Sequence, residues 1–272
     1  MRGGVVVTGA STGIGRETAR MLAALGFEVF GTVRRPEDAE AVRADGVTPV
    51  FMDVTDGASI QTARESVKAV LGTRPLVGLV NNAGVQAAGP LELLPLEELR
   101  AVLEVNVIGL VGVTQTFLPD LRGSKGRIVN MSSVSGRIAM PFAGPYCASK
   151  FALEAISDSL RRELLGSGVL VIVIQPGSVR TPIWDKVRTA NLERYRDTPY
   201  AKLLPRIRDQ ALAGVQKGLP PSVVAEAVVH ALTTPRPPTR IPVVKRRFRF
   251  RLLQLAPDAL LDRATQRALW RR

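Results

Sequence analysis

The 272-residue chain is long enough for one large α/β domain or two small ones, and its 46% hydrophobic and 22% charged content is that of a globular protein. One cysteine, Cys147, excludes an internal disulfide, and with one histidine, His230, there is no His/Cys cluster for zinc, so no metal is expected. The net charge of +13 is uneven: residues 236–272 hold eleven Lys/Arg against two Asp/Glu, whereas the first 235 hold twenty-six against twenty-two. The opening Met-Arg-Gly-Gly-Val-Val-Val lacks a signal-peptide layout, and the longest apolar runs, such as 169–174, are too short to span a bilayer; the expected location is cytoplasmic.

Along the chain, short β-rich runs alternate with amphipathic segments. Residues 5–7 read as a strand and 14–25 as a helix, followed by strands at 28–33 and 47–52, a helix at 59–71 and a strand at 77–80. Helical sequence from 96 to 118, a strand at 127–130, a helix from Tyr146 to about 165 and a strand at 169–174 continue the pattern. Such alternation predicts a single doubly wound parallel α/β sheet with helices on both faces, because parallel strands need crossovers and their buried faces read as continuous apolar runs. No Gly/Ser linker divides the chain. The proline-rich 234–238 predicts a loop before a last strand at 240–244, so residues 1–244 form the expected domain and 245–272 a basic amphipathic tail.

The first strand runs into Thr8-Gly-Ala-Ser-Thr-Gly-Ile-Gly15. Glycines there allow a tight turn and close backbone approach to a pyrophosphate, which the N–H groups and partial positive charge of the following helix would hold. At the end of the second strand stands Arg34-Arg35, with no acid until Glu37. An acid would accept a ribose 2′-hydroxyl, whereas arginine pairs with a 2′-phosphate, so the expected cofactor is NADP(H) with Arg34 as its main phosphate partner.

Tyr146 and Lys150 stand four apart, on one helix face, where a phenol and an ammonium can share a cleft or simply lie on a surface. Cys147 beside them reads as a small buried thiol, since no histidine is near in sequence to activate it. Thr8-Gly-x-x-x-Gly13-Ile-Gly15, Asn81-Asn-Ala-Gly84, Ser132-Ser133, Tyr146-x-x-x-Lys150 and Pro176-Gly177 together resemble, in order and spacing, the classical short-chain dehydrogenase/reductases, especially hydroxysteroid and retinol dehydrogenase-like members, over residues 4–245. That resemblance implies catalytic Asn106, Ser133, Tyr146 and Lys150, with Tyr146 as proton donor or base, Lys150 lowering its pKa and binding the nicotinamide ribose, Ser133 holding the substrate oxygen and Asn106 supporting a proton-relay water. It also implies cofactor contacts at Gly9, Ser11, Thr12, Gly13, Ile14, Gly15, Asp53, Val54, Asn81, Ala83, Gly84, Pro176, Gly177 and Thr181 besides Arg34, Tyr146 and Lys150. A homodimer or tetramer built through helices flanking the tyrosine is implied as well.

Residues 180–219 form an insertion rich in apolar and aromatic side chains, including Trp184, Tyr195 and Tyr200, in the region that covers substrate in this family. With Met140 and Phe142 it predicts a lid over a lipophilic substrate. In the tail, alternation of arginine and phenylalanine over 245–251 reads as a strand, and 258–270 as a helix. A peripheral membrane contact, packing on the sheet edge and a subunit interface all suit it; a nucleic-acid role would rest on the tail alone. A non-catalytic dinucleotide-binding sensor or scaffold is the alternative function, and it would not need the four catalytic positions.

Overall fold

The computed structural model describes residues 2–270. Seven parallel strands, β1 (Arg2–Val7), β2 (Phe27–Val33), β3 (Thr48–Phe51), β4 (Leu76–Asn81), β5 (Arg127–Met131), β6 (Leu170–Pro176) and β7 (Arg240–Val243), form one sheet in the order β3-β2-β1-β4-β5-β6-β7. The order reverses between β1 and β4, which opens a crevice beyond their carboxyl ends, where ligands bind in open α/β sheets.

Helices α1 (Gly13–Ala24), α2 (Pro36–Ala44), α3 (Gly57–Leu71), α4 (Leu96–Leu103), α5 (Leu110–Ser124) and α6 (Gly144–Glu163) cross over between the strands. The short α7 (Asp185–Arg188), then α8 (Leu203–Gln216) and α9 (Pro221–Thr233), lead to β7, and α10 (Arg247–Gln254) and α11 (Asp258–Leu269) follow it. Alternation along β1 shows why both faces must be covered: Val5 and Val7 join one core cluster with Leu22, Val224 and Val228, while Val6 joins the other with Phe30, Phe117 and Leu121.

Four readings change. Residues 36–44, passed over in the sequence, form α2, whose Pro36 at the first turn and Glu37 and Asp38 beside it are ordinary helix-start signals. The helix expected at 96–118 is α4 and α5 joined by a π-helical turn, Glu104–Gly109. The continuous stretch Leu96–Ser124 is long and apolar enough to cross a membrane, against the expectation that no segment is, yet Val113, Phe117 and Leu121 on it are packed into the core. The strand expected at 245–251 is instead the start of α10: Phe248, Leu252 and Leu255 also fit helical spacing, and beyond β7 no neighbouring strand is there to reward alternation.

Candidate active site

One cavity of about 770 Å³ runs from the turn after β1 to the lid segment. At its floor the turn is tied down from both sides. Gly9 N–H donates to Thr32 Oγ1 (3.1 Å); Asn82 Nδ2 donates to the carbonyls of Thr8 and Gly9; and Thr8 Oγ1 accepts from the backbone N–H groups of Asn82 and Ala83, each at 2.9 Å. Gly9 and Gly13 both have positive φ, and a Cβ on Gly13 would stand 3.3 Å from Thr181 across the cleft. Thr12 caps α1 without a side-chain hydrogen bond and the first turn holds no acid, so the helix N-terminus keeps its donors for an anion. This cradle fits a dinucleotide pyrophosphate.

Gly9, Ser11, Thr12, Gly13, Ile14, Arg34, Asp53, Val54, Ala83, Gly84, Pro176, Gly177 and Thr181 all line the cavity. Two expected cofactor residues stand elsewhere. Asn81 is buried and donates through Nδ2 to Thr114 Oγ1 and Asn130 Oδ1, both 2.9 Å, so it stitches β4 to its neighbours instead of lining the cleft. Gly15 is also absent from the lining: a Cβ there would lie 2.2 Å from the Gly9 carbonyl and 2.4 Å from Asn82 Nδ2, so its lack of a side chain serves the packing of α1 on the turn. Asn82, passed over in the sequence, proves to be the tie between the two loops.

The two arginines at the end of β2 differ. Arg35 is held by Asp38 (3.1 and 3.3 Å) and faces Glu37 at 3.6 Å, whereas Arg34, exposed at the cavity wall, makes no ion pair among the described residues. Asp53 Oδ1 accepts from the backbone N–H and hydroxyl of Thr55, and those bonds, with the charge of Arg34 nearby, hold its carboxyl below the usual range.

At the other end, α6 begins at Gly144 and puts Tyr146 and Lys150 on its first two turns. Ser133, two residues beyond the end of β5, hydrogen-bonds Tyr146 and accepts from Ser135 N–H (3.1 Å). Lys150 is only 4% exposed; its Nζ donates to the Met131 carbonyl at 2.8 Å and lies 5.6 Å from the Tyr146 ring centroid. Burial pushes the phenol up to about 12, outweighing the Ser133 hydrogen bond, and pushes the ammonium down to about 8, the opposing pull coming from Glu154 one turn along. On the tyrosine, desolvation thus acts against the lowering expected from its lysine neighbour. Burial likewise raises the Cys147 thiol, which accepts from Met140 N–H at 3.3 Å and is no nucleophile.

Asn106 lies in the π-helical turn, with its side chain fully engaged: Nδ2 donates to the Val85 carbonyl and to Ser149 Oγ, and Oδ1 accepts from Val85 N–H. A Cβ on Gly84 would sit 3.3 Å from Asn106 Oδ1 and 3.8 Å from Lys150 Nζ, so the bare glycine lets these groups converge. Met140, Phe142 and Trp184 line the outer cavity with Val187, Leu204 and Ile207. Phe142 has a left-handed backbone (φ 64°), and its ring meets Tyr200 edge-on at 5.6 Å and Trp270 at 6.4 Å.

Comparison with known proteins accords with this geometry. The short chain dehydrogenase family matches residues 4–192. An NADPH-dependent 3-dehydrocapnine reductase from Ornithobacterium rhinotracheale is 39% identical over 95% of this chain and 94% of its own, and human 17-beta-hydroxysteroid dehydrogenase type 6 is 37% identical over 95% and 86%. A Burkholderia phymatum short chain dehydrogenase/reductase solved with NAD superposes with a TM-score of 0.81 at 26% identity, covering 97% of this chain and 95% of that one. The chain therefore belongs to the short-chain dehydrogenase family, and it is an oxidoreductase acting on carbonyl or CH–OH groups.

Proposed function

We propose that the protein transfers hydride between NADP(H) and the carbonyl or secondary alcohol of a lipophilic substrate. The observation that carries this reading is that Ser133, Tyr146 and Lys150 face the same cavity as the glycine turn and the unpaired Arg34, with an apolar wall opposite. When bound, the nicotinamide supplies or takes the hydride. The chain's own groups manage the proton. At neutral pH the Tyr146 phenol, raised to about 12, is the acid form that reduction requires, and Ser133 is placed to hold the substrate oxygen beside it. Lys150, near 8, is mostly charged at pH 7 and lessens the cost of the phenolate left after proton donation. Asn106 acts by fixing Val85 and Ser149 around these groups.

Arg34 offers its free guanidinium to a 2′-phosphate, and the reductase relative named as NADPH-dependent supports that choice. Met140, Phe142 and Trp184 favour an apolar substrate, in keeping with the relative named as a hydroxysteroid dehydrogenase. A non-catalytic sensor would have no use for a lysine buried at the expense of its charge. The tail supports a peripheral contact with an anionic membrane. Pairing of subunits through α6 and the π-helical turn before α5 is supported by the exposed Phe151 and Ile108, and light scattering that finds a monomer at all concentrations would reject it.

The test is cofactor consumption against steroid, retinoid, long-chain and small polar carbonyls, with NADPH and NADH in parallel. Turnover of an apolar class is expected, falling by about 10² to 10⁴ in Tyr146→Phe with cofactor affinity retained. Arg34→Ala should lose about tenfold or more of NADPH affinity and little of NADH. Near-normal turnover in Tyr146→Phe rejects the mechanism; equal use of both cofactors by the unaltered protein rejects the NADP(H) assignment.

A further inference from the structure

Most of the cavity's polar groups are accounted for by the proton-handling cluster and the cofactor cradle. Two are not. Gln86, 7% exposed, and Tyr195, 2% exposed, both line the cavity, and neither the Nε2 amide of Gln86 nor the O–H of Tyr195 has an acceptor. A buried polar group without a partner is destabilising, so several gathered in one cavity call for a ligand. Arg194 lies over the ring face, 4.7 Å from its centroid, pairs with Glu98 and reaches the hydroxyl oxygen, but a guanidinium only donates, so the hydroxyl proton still has no acceptor.

The two groups belong together. A Cβ on Gly89 would fall 2.5 Å from the Tyr195 hydroxyl, so that hydroxyl sits against the same short segment, 85–89, that carries Gln86. Both ends of the segment are anchored to the site. Val85 is gripped through its N–H and its carbonyl by Asn106, and Gly89 N–H donates to the Phe142 carbonyl at 2.8 Å. A substrate atom held by Gln86 is therefore held at a fixed offset from Ser133 and Tyr146, the kind of preorganised second contact that fixes which carbon of a long molecule reacts.

We propose that Gln86 and Tyr195 form a polar subsite for a second, uncharged oxygen of the substrate, a hydroxyl or carbonyl remote from the reacting carbon. The amide of Gln86 donates to that oxygen, and the tyrosine hydroxyl either donates to it or accepts from it. The surroundings are neutral overall, with Arg194 and Glu98 cancelling, which favours an uncharged oxygen over an ammonium or a carboxylate. The substrate class narrows accordingly: a largely apolar ketone or alcohol carrying two oxygens at a set separation. This rests on the oxidoreductase reading above.

The experiment compares kcat/KM for matched pairs of ketones of equal carbon number, one with and one without a second oxygen, moved along the chain, in the unaltered protein, Tyr195→Phe and Gln86→Met. Tyr195→Phe removes one atom from a packed ring, and Gln86→Met keeps the side-chain length. The unaltered protein should prefer one positional isomer over its plain partner by about 10² or more, since sites built to hydrogen-bond a group reject analogues lacking it strongly. That ratio should fall at least about tenfold in each variant, and the unliganded Tyr195→Phe protein should melt at a slightly higher temperature, because it no longer buries a lone hydroxyl. A ratio near one for every isomer in the unaltered protein, or a preference that survives in both variants, overturns the subsite. Absence of Tyr146-dependent turnover with any ketone would instead count against the oxidoreductase reading, and the melting comparison would still report on the orphaned hydroxyl.

Discussion

The two ends of the cavity are built in opposite ways. At the cofactor end, position is fixed by short hydrogen bonds between backbone and buried side chains: Thr8, Thr32 and Asn82 account for the loop that starts α1. At the substrate end, position is set by ring contacts among Phe142, Tyr200 and Trp270, by half-exposed side chains such as Met140, and by polar groups with nothing yet to bind. The cofactor end binds a constant molecule and can be rigid from the outset. The substrate end keeps its adaptability because its contacts are apolar and undirected, so a change of substrate needs only new side chains there.

The sharpest way to break the comparison is to put a methyl group where the rigid end has no room. Gly15→Ala would place Cβ 2.2 Å from the Gly9 carbonyl and 2.4 Å from Asn82 Nδ2, and backbone cannot yield as a flexible side chain can. A loss of about 3 kcal/mol or more, with cofactor binding abolished, is expected from thermal and denaturant unfolding. Gly123→Ala, in α5 with nothing within 4 Å, should instead gain about 0.5–1 kcal/mol from helix propensity. Equal stabilities for the two would mean the turn is as pliable as the lid.

Lys150 sits where the two ends meet, and its charge serves chemistry against stability. Its folded pKa, near 8, lies below the ordinary lysine value of 10.5, so below pH 8 the folded protein carries the full cost of burying the ammonium; as pH rises towards 10.5 the folded state has already released the proton and the cost fades. Lys150→Met should therefore be more stable than the unaltered protein by about 1–2 kcal/mol at pH 7, after allowance for the Met131 carbonyl it leaves unpaired, and the advantage should vanish above pH 10. Turnover should fall by at least about 10² at every pH. A Met variant that is less stable at pH 7 would show that Glu154 and the carbonyl compensate the buried charge completely.

How much of this was legible in the sequence follows the same divide. The parallel sheet and the cradle could be read because each apolar run, glycine and catalytic residue acts through its own backbone position, and chain order is enough to place them. Asn81 and Asn82 show the limit: adjacent identical residues point to opposite sides of a strand end, one into the core and one into the turn, and only the register of β4 beside β5 decides which. The burial of Tyr146 and Lys150 had no signal, because spacing reveals a neighbouring charge but not how thoroughly both groups are stripped of water. Tyr195 was legible as an aromatic of the lid, but its pairing with Gln86 carried no signal, the two being 109 positions apart and joined only by the fold.

The smallest effect is expected at the tail, where α10 and α11 lie outside the sheet. Phe248, Leu252 and Leu255 make an exposed stripe along α10, and Arg247, Arg249 and Arg251 flank it without ion pairs among the described residues. Trp270, 55% exposed beyond α11, meets the ring of Phe142 at 6.4 Å. Removing its ring in Trp270→Ala should therefore cost under about 1 kcal/mol of stability, an aromatic pair being worth no more than that at a wet surface. The same stripe and charges suit the interface of an anionic bilayer, where each arginine contributes about 1 kcal/mol. In flotation with phosphatidylserine vesicles the full chain should rise with the lipid, a Phe248→Ser/Leu252→Ser double variant should stay largely behind, and added salt should weaken binding of both. If the double variant floats as well as the full chain, the stripe does not enter the bilayer, and the substrate end then differs from the cofactor end only in how it meets small molecules.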